Sequence, residues 1–141
     1  LIHTTDLAEI NLLNPDIVAE SIDTIELLEY ELSISKSAEN GTFELEIDTA
    51  GFSGIGTIPE NKVIIINNDI ETVYNTSGIF TFTGTLSESG DITLNINVEK
   101  LYPHATVDTI SIDLKKINGL TTLINPAKDN IVLNIPISEE P

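Results

Sequence analysis

The sequence LEYELSISKSAENGTFELEI, residues 28–47, alternates apolar and polar side chains on both sides of a polar interruption. Successive side chains of a β-strand point to opposite faces, so this alternation predicts two strands that each bury one face. The interruption contains Asn40-Gly41, a dipeptide that is typical of hairpin turns. The stretch is therefore predicted to form a β-hairpin, and the same patterning recurs along the rest of the chain.

The predicted hairpin gathers acidic side chains on its outer face. If Ser35 pairs with Thr42, the apolar residues share one side and Glu31 lies opposite Glu46. A shift of one residue would expose an apolar row, whereas a shift of two only exchanges the acidic partners. Opposed like charges cost roughly 0.2–1 kcal/mol per pair, and a bound cation or a basic partner would relieve that repulsion. The alternative is a solvated acidic face with no ligand.

Calcium is the cation that this face would suit, because calcium prefers several oxygen ligands. The candidate metal ligands are Glu29, Glu31, Glu44, Glu46 and Asp48. A second set of oxygen donors is interpreted more simply as a polar turn, and its members are Asn67, Asn68, Asp69 and Glu71.

The sequence contains no metal-binding histidine motif and no phosphate-binding glycine loop, so no other cofactor is expected. The glycines at 51, 54 and 56 are expected to permit a bulge or a sharp bend.

Composition limits the partners that the chain can have. Its 141 residues carry a formal net charge of −17, and all six basic residues are lysines. The long-range field of such a surface opposes nucleic acid and anionic membranes, and phosphate recognition without arginine is difficult. Because 40% of the residues are hydrophobic and regularly spaced, the chain is expected to fold. Its length suits a single domain over residues 1–141.

The chain contains no cysteine and no methionine, and it begins with Leu1. The lack of cysteine excludes disulfide and zinc–thiolate chemistry. A start without methionine predicts a processed chain, either an exported protein whose signal has been removed or a trimmed form. No apolar run of the sequence is long enough to span a bilayer. We therefore expect an extracellular, cell-surface or periplasmic location.

One helix signal stands near the N-terminus. Asn14 can cap a helix, Pro15 suits its first position, and Asp16 interacts favourably with its positive end. Apolar residues then follow at mixed three- and four-residue spacing over residues 17–25. Because strand patterning resumes at Leu28, the predicted helix is short.

The remaining segments are predicted to be short strands separated by turns. Alternation in residues 80–86 and 92–98 predicts a second hairpin, and the apolar run 63–66 predicts a central strand buried on both faces. Pro136 cannot donate a ladder hydrogen bond, so the last strand is predicted to lie at a sheet edge. Roughly eight or nine strands with one short helix favour an antiparallel β-sandwich, and a small up-and-down β-barrel is the alternative.

Two functions fit this architecture. One is a non-catalytic exported domain with a structural, adhesion or assembly role, such as a self-associating subunit of a surface filament. The other is a domain that binds a small molecule or a lipid in an internal cavity. Inward residues dominated by Ile and Leu, without tryptophan, favour a filled core and hence the first function. No nucleophile, metal set or cofactor loop indicates an enzyme.

Residues 1–13 are a weakly patterned segment with apolar side chains at Leu7, Ile10 and Leu12. An open sheet edge, on a second copy of the chain or on another surface protein, can accept such a detachable segment as an added strand. Head-to-tail exchange of this kind produces filaments unless the rotation between subunits closes a ring. The alternative is that the segment forms the first strand of its own sandwich.

Overall fold

The computed structural model describes residues 7–20, 24–35, 41–86, 92–101 and 108–136. Within these ranges the chain consists of strands and loops, and nine strands form two antiparallel sheets around one hydrophobic core. The strands are β1 Glu9–Leu12, β2 Glu26–Ser35, β3 Thr42–Asp48, β4 Lys62–Asn67, β5 Ile70–Tyr74, β6 Ile79–Thr85, β7 Ile92–Lys100, β8 Asp108–Ile117 and β9 Asn130–Ile135. The predicted β-sandwich is confirmed, because the two sheets stay separate rather than closing into the alternative barrel.

One sheet has the strand order β1-β2-β7-β4-β5, and the other has the order β6-β3-β8-β9. Along each strand, successive side chains point alternately to the core and to the outer surface, as the two-residue period of the sequence predicts. On β2, for example, Leu32 is completely buried while its neighbour Glu31 is exposed. The same alternation on β8 buries Ile110 and Ile112. Full burial of a Leu or Ile side chain contributes about 1.5–3 kcal/mol, so apolar contact between the inner faces holds the sheets together.

The strand pairing predicted for residues 28–47 is wrong. β2 pairs with β1 and β7 in the five-stranded sheet, whereas β3 pairs with β6 and β8 in the four-stranded sheet. Ser35 therefore lies opposite Glu9, and Thr42 lies opposite Thr85. Residues 36–40, which form most of the predicted turn, lie outside the described residues. A period of two identifies the buried face of a strand but not its neighbour, so a connection that crosses to the other sheet produces the same pattern.

The second predicted hairpin is wrong for the same reason. β6 lies at the edge of the four-stranded sheet, whereas β7 lies between β2 and β4 in the five-stranded sheet. A tight hairpin connects β4 to β5 instead, and Asn67 pairs with Ile70 across it. Asn68 and Asp69 form its turn with positive φ angles of 52° and 62°. Two positive φ angles match a type I′ turn, which favours asparagine and aspartate. The oxygen donors of this region thus lie in and around a polar turn.

Two positional predictions are confirmed. β4, which contains the apolar run 63–66, lies between β7 and β5. On this strand Ile65 faces the core with no exposed surface, and Ile64 on the outer face is only 9% exposed. β9 ends at Ile135, directly before Pro136, and forms an edge of the four-stranded sheet. The missing N–H of proline therefore costs no ladder hydrogen bond.

The predicted helix is absent from residues 14–20, which have no regular secondary structure, and residues 21–23 lie outside the described residues. Asn14 uses its side chain to extend strand pairing rather than to cap a helix. Its amide nitrogen donates to the Glu29 carbonyl oxygen at 2.8 Å, and its amide oxygen accepts from the Glu31 N–H at 2.7 Å. The side-chain amide thus takes the place of a peptide unit along the edge of β2, just beyond the end of β1.

β1 pairs with β2 of the same chain, with Ile10 opposite Ile34. It also contacts the chain that leads into β9, because the Ile10 N–H donates to the Lys128 carbonyl oxygen at 3.0 Å. Just before it, Ala8 and Ile124 form a parallel bridge. The described part of the N-terminal segment is therefore a strand of its own sandwich in this structure. Exchange of this strand between chains stays a prediction.

Candidate functional site

The five predicted metal ligands lie on two different sheets. The outer face of β2 carries Glu29 and Glu31, and the outer face of β3 carries Glu44, Glu46 and Asp48. Because the outer faces of a sandwich point away from each other, the structure does not bring the five carboxylates together. Among the described residues, no group of three or more His, Cys, Asp or Glu side chains is arranged to hold a metal ion. Calcium binding stays a prediction, but the pairing of β2 with β3 on which it was based is not present in the structure.

The cross-strand neighbours of these carboxylates are mostly neutral or basic. The pairs are Glu29 with Asn97, Glu31 with Asn95, Glu44 with Lys116, Asp48 with Ser111 and Glu46 with Asp113. Of these pairs, only the last places like charges opposite each other. Repulsion across the strands is therefore smaller than in the predicted hairpin, where Glu31 would face Glu46 and Glu29 would face Asp48.

Glu29 and Glu31 line a depression of about 230 Å³ on the outer face of the five-stranded sheet. Its other lining residues are Asn14, Ile66, Asn95 and Asn97. Asn14 forms one wall because its amide group is held against the edge of β2. The depression thus brings two of the five predicted ligands together with three side-chain amides.

A buried ion pair lies between the two sheets. Lys100 ends β7 and Asp108 begins β8, and their side chains are 1% and 0% exposed. The Lys100 ammonium group contacts Oδ2 of Asp108, while the Ser53 N–H donates to Oδ1 at 2.7 Å. The Nζ atom lies 5.8 Å from the centre of the Phe52 ring, within the range of a cation–π interaction. Burial lowers the pKa of the Lys100 amine to about 8.

Residues 49–61, here called the capping loop, cover this ion pair at one end of the sandwich. The Phe52 side chain of the loop is buried in the core. Asn61, the last residue of the loop, binds the backbone of the adjacent strand, because its Oδ1 accepts a hydrogen bond from the Leu101 N–H at 2.7 Å. Its Nδ2 donates to the Ser53 carbonyl oxygen at 3.3 Å. Asn61 therefore joins the capping loop to the backbone that follows Lys100.

The capping loop also approaches the start of β8 closely. The Gly51 carbonyl oxygen accepts from the Thr109 N–H at 2.9 Å, and a Cβ at Gly51 would lie 2.4 Å from the Thr109 hydroxyl oxygen. Gly54 has a φ angle of 81°, which residues with a side chain rarely adopt. The glycines of this loop thus lie in the predicted sharp bend, and Gly51 in addition permits close packing against β8.

The sequence contains a signal for the buried ion pair that is not a motif. Lys100 follows Val98 at the inward position of β7, and Asp108 precedes Ile110 at the inward position of β8. Lysine and aspartate are almost never fully buried unless they are paired. Opposite charges at inward positions on consecutive strands therefore predict a contact inside the core.

Edge strands β5 and β6 expose apolar side chains on the side of the sandwich opposite β1 and β9. The exposed fractions of Ile70, Val73 and Ile79 are 69%, 50% and 64%. In the described part of the chain β5 pairs only with β4, and its second edge has no strand partner there. Ile70 and Val73 lie on opposite faces of β5, and Ile79 lies on the outer face of β6, so these side chains flank the edge of β5 without forming one patch.

The depression between β5 and β6 has a volume of about 170 Å³. Near the turn before β5, the Thr85 N–H donates to Oδ1 of Asn67 at 3.3 Å. Near the other end of β5, the ring centres of Tyr74 and Phe80 lie 4.9 Å apart. The two edge strands are thus bridged at both ends, and the depression between them is shallow and small.

The sequence matches no protein-family model, and no curated protein shows significant similarity to it. The described residues contain no helix that is long and apolar enough to cross a membrane.

Proposed function

We propose that this chain is a non-catalytic domain of an exported surface protein, with a structural role in which copies associate through edge strand β5. The observation that carries this proposal is edge strand β5, which pairs only with β4 among the described residues and whose Ile70 and Val73 are 69% and 50% exposed. An open strand edge beside apolar side chains is a template for another strand, and soluble proteins commonly protect such edges with charges or proline.

The residues of β5 suit pairing with a second copy of the same strand. An antiparallel pair centred on Thr72 places Glu71 opposite Val73 of the partner subunit rather than opposite another glutamate. It also places Ile70 opposite Tyr74 of the partner subunit, which extends the apolar contact. Such a pair joins two five-stranded sheets into one continuous sheet and is closed by a two-fold axis. Filament growth requires a second contact, which the strand exchange predicted for residues 1–13 would supply.

The charge of the chain favours this edge over a charged contact surface. A formal net charge of −17 opposes the approach of two copies. β5 carries a single acidic residue, Glu71, so pairing at this edge brings few like charges together. Because the remaining repulsion is long-range, salt should strengthen the association by screening it.

The alternative function, binding of a small molecule or a lipid in an internal cavity, has less support. The depression between β5 and β6 measures about 170 Å³, and a depression beside Lys115, Thr121 and Asp129 measures about 330 Å³. Ligand pockets typically have volumes of about 300–1,000 Å³ and bury most of the ligand, whereas these depressions lie open at the surface. The inner faces of the sheets meet through completely buried side chains such as Leu45 and Leu94. A thermal-shift screen with lipids, sugars and small hydrophobic compounds tests this alternative, and strong stabilisation by one of them would favour it.

Size-exclusion chromatography with light scattering, at increasing protein concentration and at low and high salt, measures the association. We expect concentration-dependent dimers that the Val73→Glu substitution abolishes, because it places a glutamate opposite Glu71 of the partner subunit in both cross-strand pairs. Leu120→Glu is the matched control for the added charge, because Leu120 is 52% exposed and lies in the turn after β8. Circular dichroism verifies that both variants fold. A wild-type chain that stays monomeric at high concentration contradicts the proposal, and so does association that survives Val73→Glu.

A further inference from the structure

Lys100 and Asp108 are in direct contact in a site that the two sheets and the capping loop shield from water. Lys100 belongs to β7 in one sheet and Asp108 to β8 in the other, and both side chains are buried. We propose that Nζ of Lys100 and Cγ of Asp108 become joined by an amide bond that forms without an enzyme once the chain has folded. The product is a covalent link between the two sheets.

Burial removes the main obstacle to this reaction, which is the charge on both groups. An ammonium group has no lone pair for attack and a carboxylate resists it, whereas a neutral amine can attack a neutral carboxylic acid. Removing two ions from water is costly, so the site favours transfer of a proton from Lys100 to Asp108 far more than water does. The pKa of Lys100, lowered to about 8 by burial, reflects the same preference for the neutral amine.

The bond forms with loss of water. After the proton transfer, the lone pair of the Lys100 nitrogen attacks Cγ of Asp108, and the electrons of the C=O double bond move to Oδ1. A proton then passes from the attacking nitrogen to the Oδ2 hydroxyl group, which leaves as water while the double bond to Oδ1 forms again. One amine and one carboxylic acid thus become one amide and one water, with no oxidant, reductant or cofactor.

The surroundings of the pair suit this reaction. The Ser53 N–H, 2.7 Å from Oδ1 of Asp108, can stabilise the negative charge that develops on this oxygen. The Phe52 ring, 5.8 Å from Nζ of Lys100, helps to keep water out of the site. Groups held in reactive contact behave as if present at about 10⁵–10⁸ M, which offsets the low reactivity of a carboxylic acid.

Asp108 rather than Asn61 is the acyl partner. The Asn61 side chain is also buried nearby, but its amide oxygen accepts from Leu101 and its amide nitrogen donates to Ser53. These hydrogen bonds engage both ends of the amide, whereas Oδ2 of Asp108 contacts the Lys100 amine directly. Reaction at Asp108 releases water and reaction at Asn61 would release ammonia, so the mass of the product identifies the partner.

The intact mass of the denatured wild-type chain tests the proposal. We expect a mass lower than the sequence predicts by one water molecule, and fragment spectra that assign the deficit to a link between Lys100 and Asp108. Trypsin should fail to cleave after Lys100, because its amine is now an amide. The full sequence mass, a deficit of one ammonia, or a water deficit located elsewhere overturns the proposal.

Two lysine variants provide the controls. Lys100→Arg keeps the positive charge but lacks the amine, so we expect its measured mass to equal its full sequence mass. Lys62→Arg is the matched control, because Lys62 Nζ lies 3.1 Å from a Glu99 oxygen in a partly exposed ion pair between β4 and β7. This variant should retain the deficit of one water. A deficit that persists in Lys100→Arg overturns the proposal, and the wild-type mass decides the question even if that variant does not fold.

Discussion

The phenolic hydroxyl of Tyr30 donates a hydrogen bond to the backbone carbonyl oxygen of Asn134, 3.0 Å away. Tyr30 belongs to β2 in the five-stranded sheet, and Asn134 belongs to β9 at the edge of the four-stranded sheet. The tyrosine ring is completely buried, and a buried tyrosine normally places its hydroxyl against a polar partner. This contact therefore connects an edge strand to the opposite sheet through the core.

The Tyr30→Phe substitution removes this hydrogen bond and keeps the ring. We expect the free energy of unfolding to fall by about 0.5–1.5 kcal/mol, the usual net contribution of one hydrogen bond. Urea unfolding followed by circular dichroism measures the change. Tyr74→Phe, at a partly exposed position on β5, is the control. An equal loss in the two variants would show that the cross-sheet hydrogen bond has no special role.

The Asn14→Ala substitution removes the side chain that extends strand pairing beyond β1. Two hydrogen bonds to the backbone of β2 are lost, so we expect the free energy of unfolding to fall by about 1–2 kcal/mol. Asn95→Ala is the matched control, because Asn95 is exposed on the same outer face. If both variants unfold at the same urea concentration, the Asn14 side chain does not stabilise the edge of β2.

The separation of the acidic residues changes the response to calcium that we expect. Because Glu31 and Glu46 lie on different sheets, they do not form a shared site. Calcium chloride and sodium chloride at equal ionic strength should therefore raise the melting temperature equally, by screening. Differential scanning fluorimetry measures both shifts. A larger shift with calcium that Glu29→Gln reduces would instead indicate a site in the depression beside Asn14.

The Asp108→Ala variant lacks the carboxyl group needed for the proposed amide, so its Lys100 keeps a buried amine. In the wild-type structure burial lowers the pKa of the Lys100 amine from its ordinary value of 10.5 to about 8, and the variant keeps the amine buried without its carboxylate partner. The unfolded variant therefore binds more protons than the folded variant in this interval. The free energy of unfolding should therefore rise with pH across the interval, by on the order of 1–3 kcal/mol. The cross-linked wild type should show no such rise.

Urea unfolding at several pH values measures this dependence. The double variant Lys100→Met with Asp108→Ala removes the amine as well, and it reports the titration of all other groups. The rise specific to Lys100 is the difference between the single and double variants. A rise of the same size in the wild type would show that its Lys100 remains a free amine.

Burial of individual strand faces was predictable from the sequence, whereas the neighbours of the strands were not. Alternation around Leu32 and Leu45 correctly places both residues in the core, because burial of a strand face depends on its own pattern. Their cross-strand partners within the same sheet, Leu94 for Leu32 and Phe82 for Leu45, are distant in the chain. The choice among distant partners depends on packing of the whole core, which a local pattern does not contain.

The candidate sites show the same division. The predicted cluster around Glu31 and Glu46 depended on strand pairing, and it separates because that pairing is wrong. The inward positions of Lys100 and Asp108 follow from the two-residue period of each strand. Their contact also requires that the consecutive strands β7 and β8 lie in opposite sheets. Asn14 has both a donor and an acceptor, so its side chain suits a helix cap and a strand edge equally. Because the edge of β2 lies beside Asn14, its side chain pairs with that strand instead of capping a helix.

The placement of β7 beside β2 has a consequence for the order in which the domain can fold. β3 to β6 lie between these two strands in the chain, so β2 is synthesised long before its central partner. The five-stranded sheet cannot assemble on a nascent chain that ends before β7. Folds with such distant pairings typically fold in about milliseconds to seconds. For the exported domain proposed here, a chain that is translocated unfolded can complete the five-stranded sheet only after β7 has crossed.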